Sequence, residues 1–151
     1  MISEAQTGVF SRRTLVVLME DKPGVLSHVS NLFRRRNYNI ESLTVGHSET
    51  AGISRMTVVV YANDAVLEQV MKQLYKLINV TKVTDITDDA AVIRELALVK
   101  VHALPANRAE IKQLVDIFRA QIIDVAHESM TVEVTGTEDK INSMIEMLRP
   151  F

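Results

Sequence analysis

The sequence predicts an α+β protein made of two sandwiches in tandem, each a β-sheet with two helices on one face. Three observations carry that prediction. Short β-branched apolar runs alternate with stretches whose apolar residues recur at helical spacing. The order strand, helix, strand, strand, helix, strand fills residues 14–86. A similar order begins again at Glu95, and the two first helices superpose when Phe33 is set on Phe118.

Each element has its own signal. Residues 14–20 read as a buried strand, short and nearly all apolar. From Gly24 the period changes, and Val25, Leu26, Val29, Leu32 and Phe33 fall on one face of a helix. Arg34-Arg35-Arg36 closes that helix and Asn37 breaks it. A basic last turn complements the helix dipole; a functional basic patch is the competing reading of the same arginines. Residues 38–47 and 53–61 read as strands joined by the loop Ser48-Glu49-Thr50-Ala51-Gly52. Met56, Val58 and Val60 give the second of them a buried face. Asn63-Asp64 offers an N-cap for a helix striped by Val66, Leu67, Val70, Met71, Leu74, Leu77 and Ile78. Residues 80–86 make a weaker strand, because their apolar residues do not alternate cleanly. Right-handed crossovers put both helices on one side of the sheet, so residues 13–87 are expected to form a ferredoxin-like sandwich. Residues 1–12 read as a flexible polar tail and 88–94 as a linker.

Residues 95–151 repeat the order as strand, helix, strand, strand, helix, one element short. Ile111, Leu114, Val115 and Phe118 stripe the first helix, and Ile141, Met144, Ile145 and Leu148 stripe the last. The missing closing strand would lie at a sheet edge, so its absence opens an edge without removing the core. A natural chain that continues past Phe151 is therefore expected.

Composition narrows the function. Hydrophobic residues at 47% and charged residues at 24% describe a globular domain, not a disordered chain. A net charge of -2 argues against a general nucleic-acid binder, which needs cations for phosphates. The absence of Cys excludes disulfides, thiolate metal sites and a cysteine nucleophile, and suits the cytoplasm. No apolar stretch approaches the ~20 residues of a membrane span. His28, His47, His102 and His127 form no metal-ligand spacing, and the acidic residues sit at element ends, where capping and solvation account for them. No phosphate-binding glycine loop or nucleophile motif occurs, so no catalytic constellation is expected.

The remaining feature is the loop Asp21-Lys22-Pro23-Gly24 between the first strand and first helix. As punctuation it is complete: Asp21 caps the helix and Pro23 occupies its first turn. As a site it has two further assets. A helix N-terminus presents unpaired N–H groups that suit a carboxylate, and a glycine there removes the Cβ that would hold a ligand off the backbone. An adjacent acid could accept an ammonium group, and the two together describe a free amino acid. The repeat places Ala106-Asn107-Arg108-Ala109 against this loop, keeping the packing stripe and dropping the Pro-Gly pair.

The stretches Asp21-Lys22-Pro23-Gly24-Val25-Leu26, "NYNIESLTV" from Asn37, Ser54-Arg55-Met56-Thr57 and "FRAQIIDV" from Phe118 closely resemble the small regulatory subunits of acetolactate synthase (acetohydroxyacid synthase), whose first domain is an ACT domain. The resemblance covers nearly the whole chain after residue 12. It implies a non-catalytic subunit that activates the large catalytic subunit in branched-chain amino acid biosynthesis. Feedback inhibition would come from valine, or leucine or isoleucine in its place, held between the two ACT domains of a homodimer. Carried over by residue, Asp21, Gly24, Val25 and Leu26 supply the loop and helix start, and Asn39 and Ile40 belong to the strand that meets the effector from the partner. Many family members have Asn where this chain has Asp21. Thiamine diphosphate, magnesium and FAD would belong to the large subunit, with no cofactor on this chain. A stand-alone amino-acid sensor using the same pocket with a different partner is the second reading.

Overall fold

The structure, a computed structural model, describes residues 8–151. The chain divides into two compact units after Ala91. In the first, β1 (Ser11–Glu20), α1 (Val25–Arg35), β2 (Ile40–His47), β3 (Ile53–Ala62), α2 (Asp64–Leu74) and β4 (Val80–Asp85) follow one another. The sheet order is β2-β3-β1-β4, antiparallel throughout. In the second, β5 (Glu95–His102), α3 (Arg108–Ile117), β6 (Gln121–Val125), β7 (Ser129–Gly136) and α4 (Glu138–Leu148) give a three-stranded sheet of order β5-β7-β6. These are the two ferredoxin-like sandwiches the periodicity predicts, the second lacking a fourth strand.

The expected tail needs correction. Residues 1–7 lie outside the described residues, but Ser11 and Arg12 already pair with Ala62 and Tyr61, so the strand starts before residue 13. The sequence of this end is polar, which hid the strand; Phe10 stacks on Tyr61 at 5.8 Å between ring centroids just before it.

Each unit has its own core. In the first, Leu15, Val17 and Met19 of β1 and Met56, Val58 and Val60 of β3 face Val29, Phe33, Val70 and Leu74 of the helices. In the second, Val132 and Val134 pack with Ile111, Val115 and Met144. The aliphatic content of the sequence thus reappears as buried faces with period two in strands and a stripe on each helix. The irregular pattern of β4 has a cause: its pairing with β1 shifts register between Leu18 and Met19. Asn63 caps α2 as expected, its side chain accepting from the Val66 amide at 2.9 Å. At the open side of β5, the His102 amide donates to the carbonyl of Phe151 at 2.9 Å.

Candidate functional site

The β1–α1 loop is tied to the far end of the β2–β3 hairpin. The Asp21 amide donates to the Gly52 carbonyl at 2.8 Å. Its carboxylate accepts from the Ser54 hydroxyl at 3.0 Å and pairs with His47 Nδ1 at 2.8 Å. Ser54 is buried, whereas His47 is 85% exposed, so the tie has one fixed and one solvent-facing partner. The neighbouring Lys22 turns back to Glu20 at 3.0 Å. The Asn79 amide donates to the same Glu20 carboxylate at 2.6 Å, and these two donors, Asn79 first, hold its pKa below the usual carboxylate range.

Asp21 is therefore not the helix cap. The N-cap of α1 is Gly24, with φ +86° and no side-chain hydrogen bond into the helix. An ideal Cβ on Gly24 would meet nothing within 4 Å, so open space lies where a side chain would stand. The left-handed backbone is the reason for glycine at this position. Both loop charges are engaged elsewhere, and the first turn of α1 carries no acidic residue. The Val25 amide donates back to the Lys22 carbonyl at 3.4 Å, and the other first-turn N–H groups, at the positive end of the helix dipole, suit a carboxylate. Asp21 accepts from two partners; a carboxylate offers about four lone-pair sites, which leaves capacity for an ammonium.

The other expected site residues fall in three places. Val25 is buried in the first core, so its side chain does not line the site and only its backbone borders it. Leu26 is 40% exposed and is the apolar side chain next to Gly24 that a ligand can touch. Asn39 and Ile40 stand at the opposite end of the sheet: Ile40 pairs with Val60, while His47 pairs with Ser54. The two β3 partners are six positions apart, ~20 Å at ~3.3 Å per residue. Within one chain these two residues do not reach the loop. Asn39 instead donates to Glu41 at 2.6 Å.

The second unit shows what the first retains. Helix α3 starts at Arg108, with Asn107 as N-cap at φ -110° and no left-handed residue. Arg108 donates to the carbonyls of Ala103 at 3.1 Å, Ala126 at 2.8 Å and His127 at 2.7 Å. Its guanidinium thus stitches the β5–α3 connection to the β6–β7 connection, the counterpart of the Asp21 tie made with the opposite charge. Among the described residues no cluster of three or more His, Asp or Glu is placed to hold a metal ion. No helix among them is long and apolar enough to cross a membrane.

Residues 15–82 match the family described as AHAS small subunit-like ACT domain, and residues 94–151 match that described as small subunit of acetolactate synthase. The chain belongs to the acetolactate synthase small subunit family. It is 54% identical to the probable small subunit of Archaeoglobus fulgidus, over 93% of this chain and 87% of that one. It is 51% identical to the small subunit of Mycolicibacterium smegmatis, over 91% and 81%. The crystal structure of the small subunit from Thermotoga maritima is 45% identical, with a TM-score of 0.86 over 91% of this chain and 86% of that one. Family membership and an ACT domain at the N-terminal side follow directly. The Asp21–Ser54–His47 tie did not follow from the sequence; a polar residue in the loop and another heading β3 were its only visible signs.

Proposed function

We propose that this chain is the non-catalytic regulatory subunit of acetolactate synthase, binding the large catalytic subunit, raising its activity and conferring feedback inhibition by valine. The reading rests on Gly24: a left-handed glycine with open space beside it, heading a helix without a side-chain cap, and absent from the second unit. The effector carboxylate lies on the α1 N-terminus, its ammonium near Asp21, and its side chain against Leu26. The site is completed by a second copy. β2 is an edge strand whose Leu43 and Val45 remain 39% and 37% exposed. Two copies joined antiparallel along β2 bring the partner's Asn39 and Ile40 beside this chain's Gly46 and His47, next to the Asp21 loop. That geometry supports a homodimer with the effector between ACT domains. Thiamine diphosphate, magnesium and FAD then belong to the large subunit.

Valine acts by linkage: it shifts the complex only by its difference in affinity for two arrangements, typically ~1–3 kcal/mol. Calorimetry with valine, leucine and isoleucine on wild type and Gly24→Asp tests the site. Binding by wild type and none by the variant is expected; equal binding by both would sink the assignment. Valine and leucine differ by one methylene, so discrimination of ~10–200-fold is the most expected.

A further inference from the structure

We infer that the paired ends of α1 and α2 form a cationic docking face for an acidic surface of the large catalytic subunit. The inference rests on the functional reading above. Arg34, Arg35 and Arg36 end α1, and Lys76 follows α2. Two adjoining clefts of about 440 and 590 Å³ lie there, both lined by Arg35 and Leu77, and neither has an acidic residue in its lining. No ion pair engages Arg34, Arg35, Arg36 or Lys76 among the described residues; the Arg36 guanidinium donates to the neutral Gln73 at 3.2 Å. By contrast Lys72, one turn earlier on α2, is neutralised by Glu68 at 2.6 Å. The whole chain has 17 Lys and Arg against 19 Asp and Glu, so this face is a local separation of charge and not a symptom of a basic protein.

Helix-dipole compensation accounts for Arg34 and Arg35 but not for the clustering. Lys76 comes from a different segment, and the four cations converge on one pair of clefts. The choice of occupant follows from chemistry. The α1 end here is the carbonyl end, which repels an anion seated on backbone, so any anion must be held by long side chains at several points. That suits an extended acidic surface better than a small phosphate compound. Ile78, 94% exposed, follows the lining residue Leu77 directly in the chain and adds an exposed apolar side chain to this segment. Arginine is among the residues enriched at protein interfaces and their hot spots. Nucleic acid would call for aromatic residues to stack on bases, and neither cleft has one in its lining.

The test titrates the large catalytic subunit of acetolactate synthase against the full chain and against Arg34→Glu/Arg35→Glu/Lys76→Glu, at low and high salt. Valine calorimetry on each chain alone is run alongside. The expected result is a loss of affinity for the large subunit of about 10- to 100-fold in the variant, with unchanged valine binding. The wild-type affinity should fall steeply with salt. A milder Arg35→Gln/Lys76→Gln pair should fall between the two. Equal affinity in all chains overturns the docking face and leaves the regulatory reading standing. A wild-type chain that binds valine but not the large subunit at any salt overturns both. Retention of wild type, but not the variant, on a nucleic acid in place of the large subunit would overturn the choice of occupant.

Discussion

At the residue scale, two positions concentrate the argument. Gly24 adopts a backbone that L-residues visit at a cost of roughly 1–2 kcal/mol. Since nothing lies within 4 Å of a would-be Cβ, Gly24→Ala should lower stability through the backbone alone. A denaturant titration of wild type and variant should show a shift of that size, and a shift near zero would mean that the loop relaxes. Asp21 offers the complementary experiment. Asp21→Ala leaves the buried Ser54 hydroxyl without its acceptor, a loss of ~1–3 kcal/mol. Asp21→Asn keeps an acceptor for Ser54 and loses the charge facing the exposed His47, so it should cost less than half as much. Thermal melts of the two variants side by side decide the order. Gly24 could be read from sequence because the repeat omits it. Ser54 and His47 could not, because they lie 33 and 26 positions from Asp21 and meet it only through the hairpin register.

At the scale of elements, periodicity located every strand and helix, and it erred where polar residues extend a strand or where a cap is backbone. β1 begins at Ser11 although Ser11, Arg12 and Arg13 are polar, because pairing with β3 holds the backbone and Asp64 and Asp85 hold the half-buried Arg13. The β1–β4 seam has its own electrostatic lock. Burial pushes the Asp85 carboxyl up, but the Thr87 hydroxyl and amide, with the Arg13 guanidinium at 3.3 Å, outweigh it and bring its pKa below the usual value. A carboxyl lowered on folding stabilises the protein above its unfolded value of 3.8, and that contribution fades as pH falls through the folded value. Urea unfolding between about pH 6 and pH 3 should therefore show wild type more stable than Asp85→Asn at the upper end, with the gap closing towards the lower. A gap that widens with acid would refute the assignment.

At the scale of the whole molecule, the two cores share no residue, since one cluster spans residues 15–83 and the other 101–148. Met144→Ala, at a fully buried site of the second core, should remove ~2–5 kcal/mol from that unit. Effector binding by the first unit should persist, which valine calorimetry on the variant measures directly. The tandem architecture was legible from the aligned helix stripes; the closing of the corresponding corner in the second unit was not, because it depends on three carbonyls that converge on one arginine. Under the proposed function, that stitch by Arg108 bears on the shape of the dose–response curve. With that corner closed, each chain enters the proposed effector site through its first unit alone, and every such site is shared between two chains. On that proposal, steepness in effector binding reports coupling between the sites that two chains build together, and the Hill slope becomes a readout of assembly.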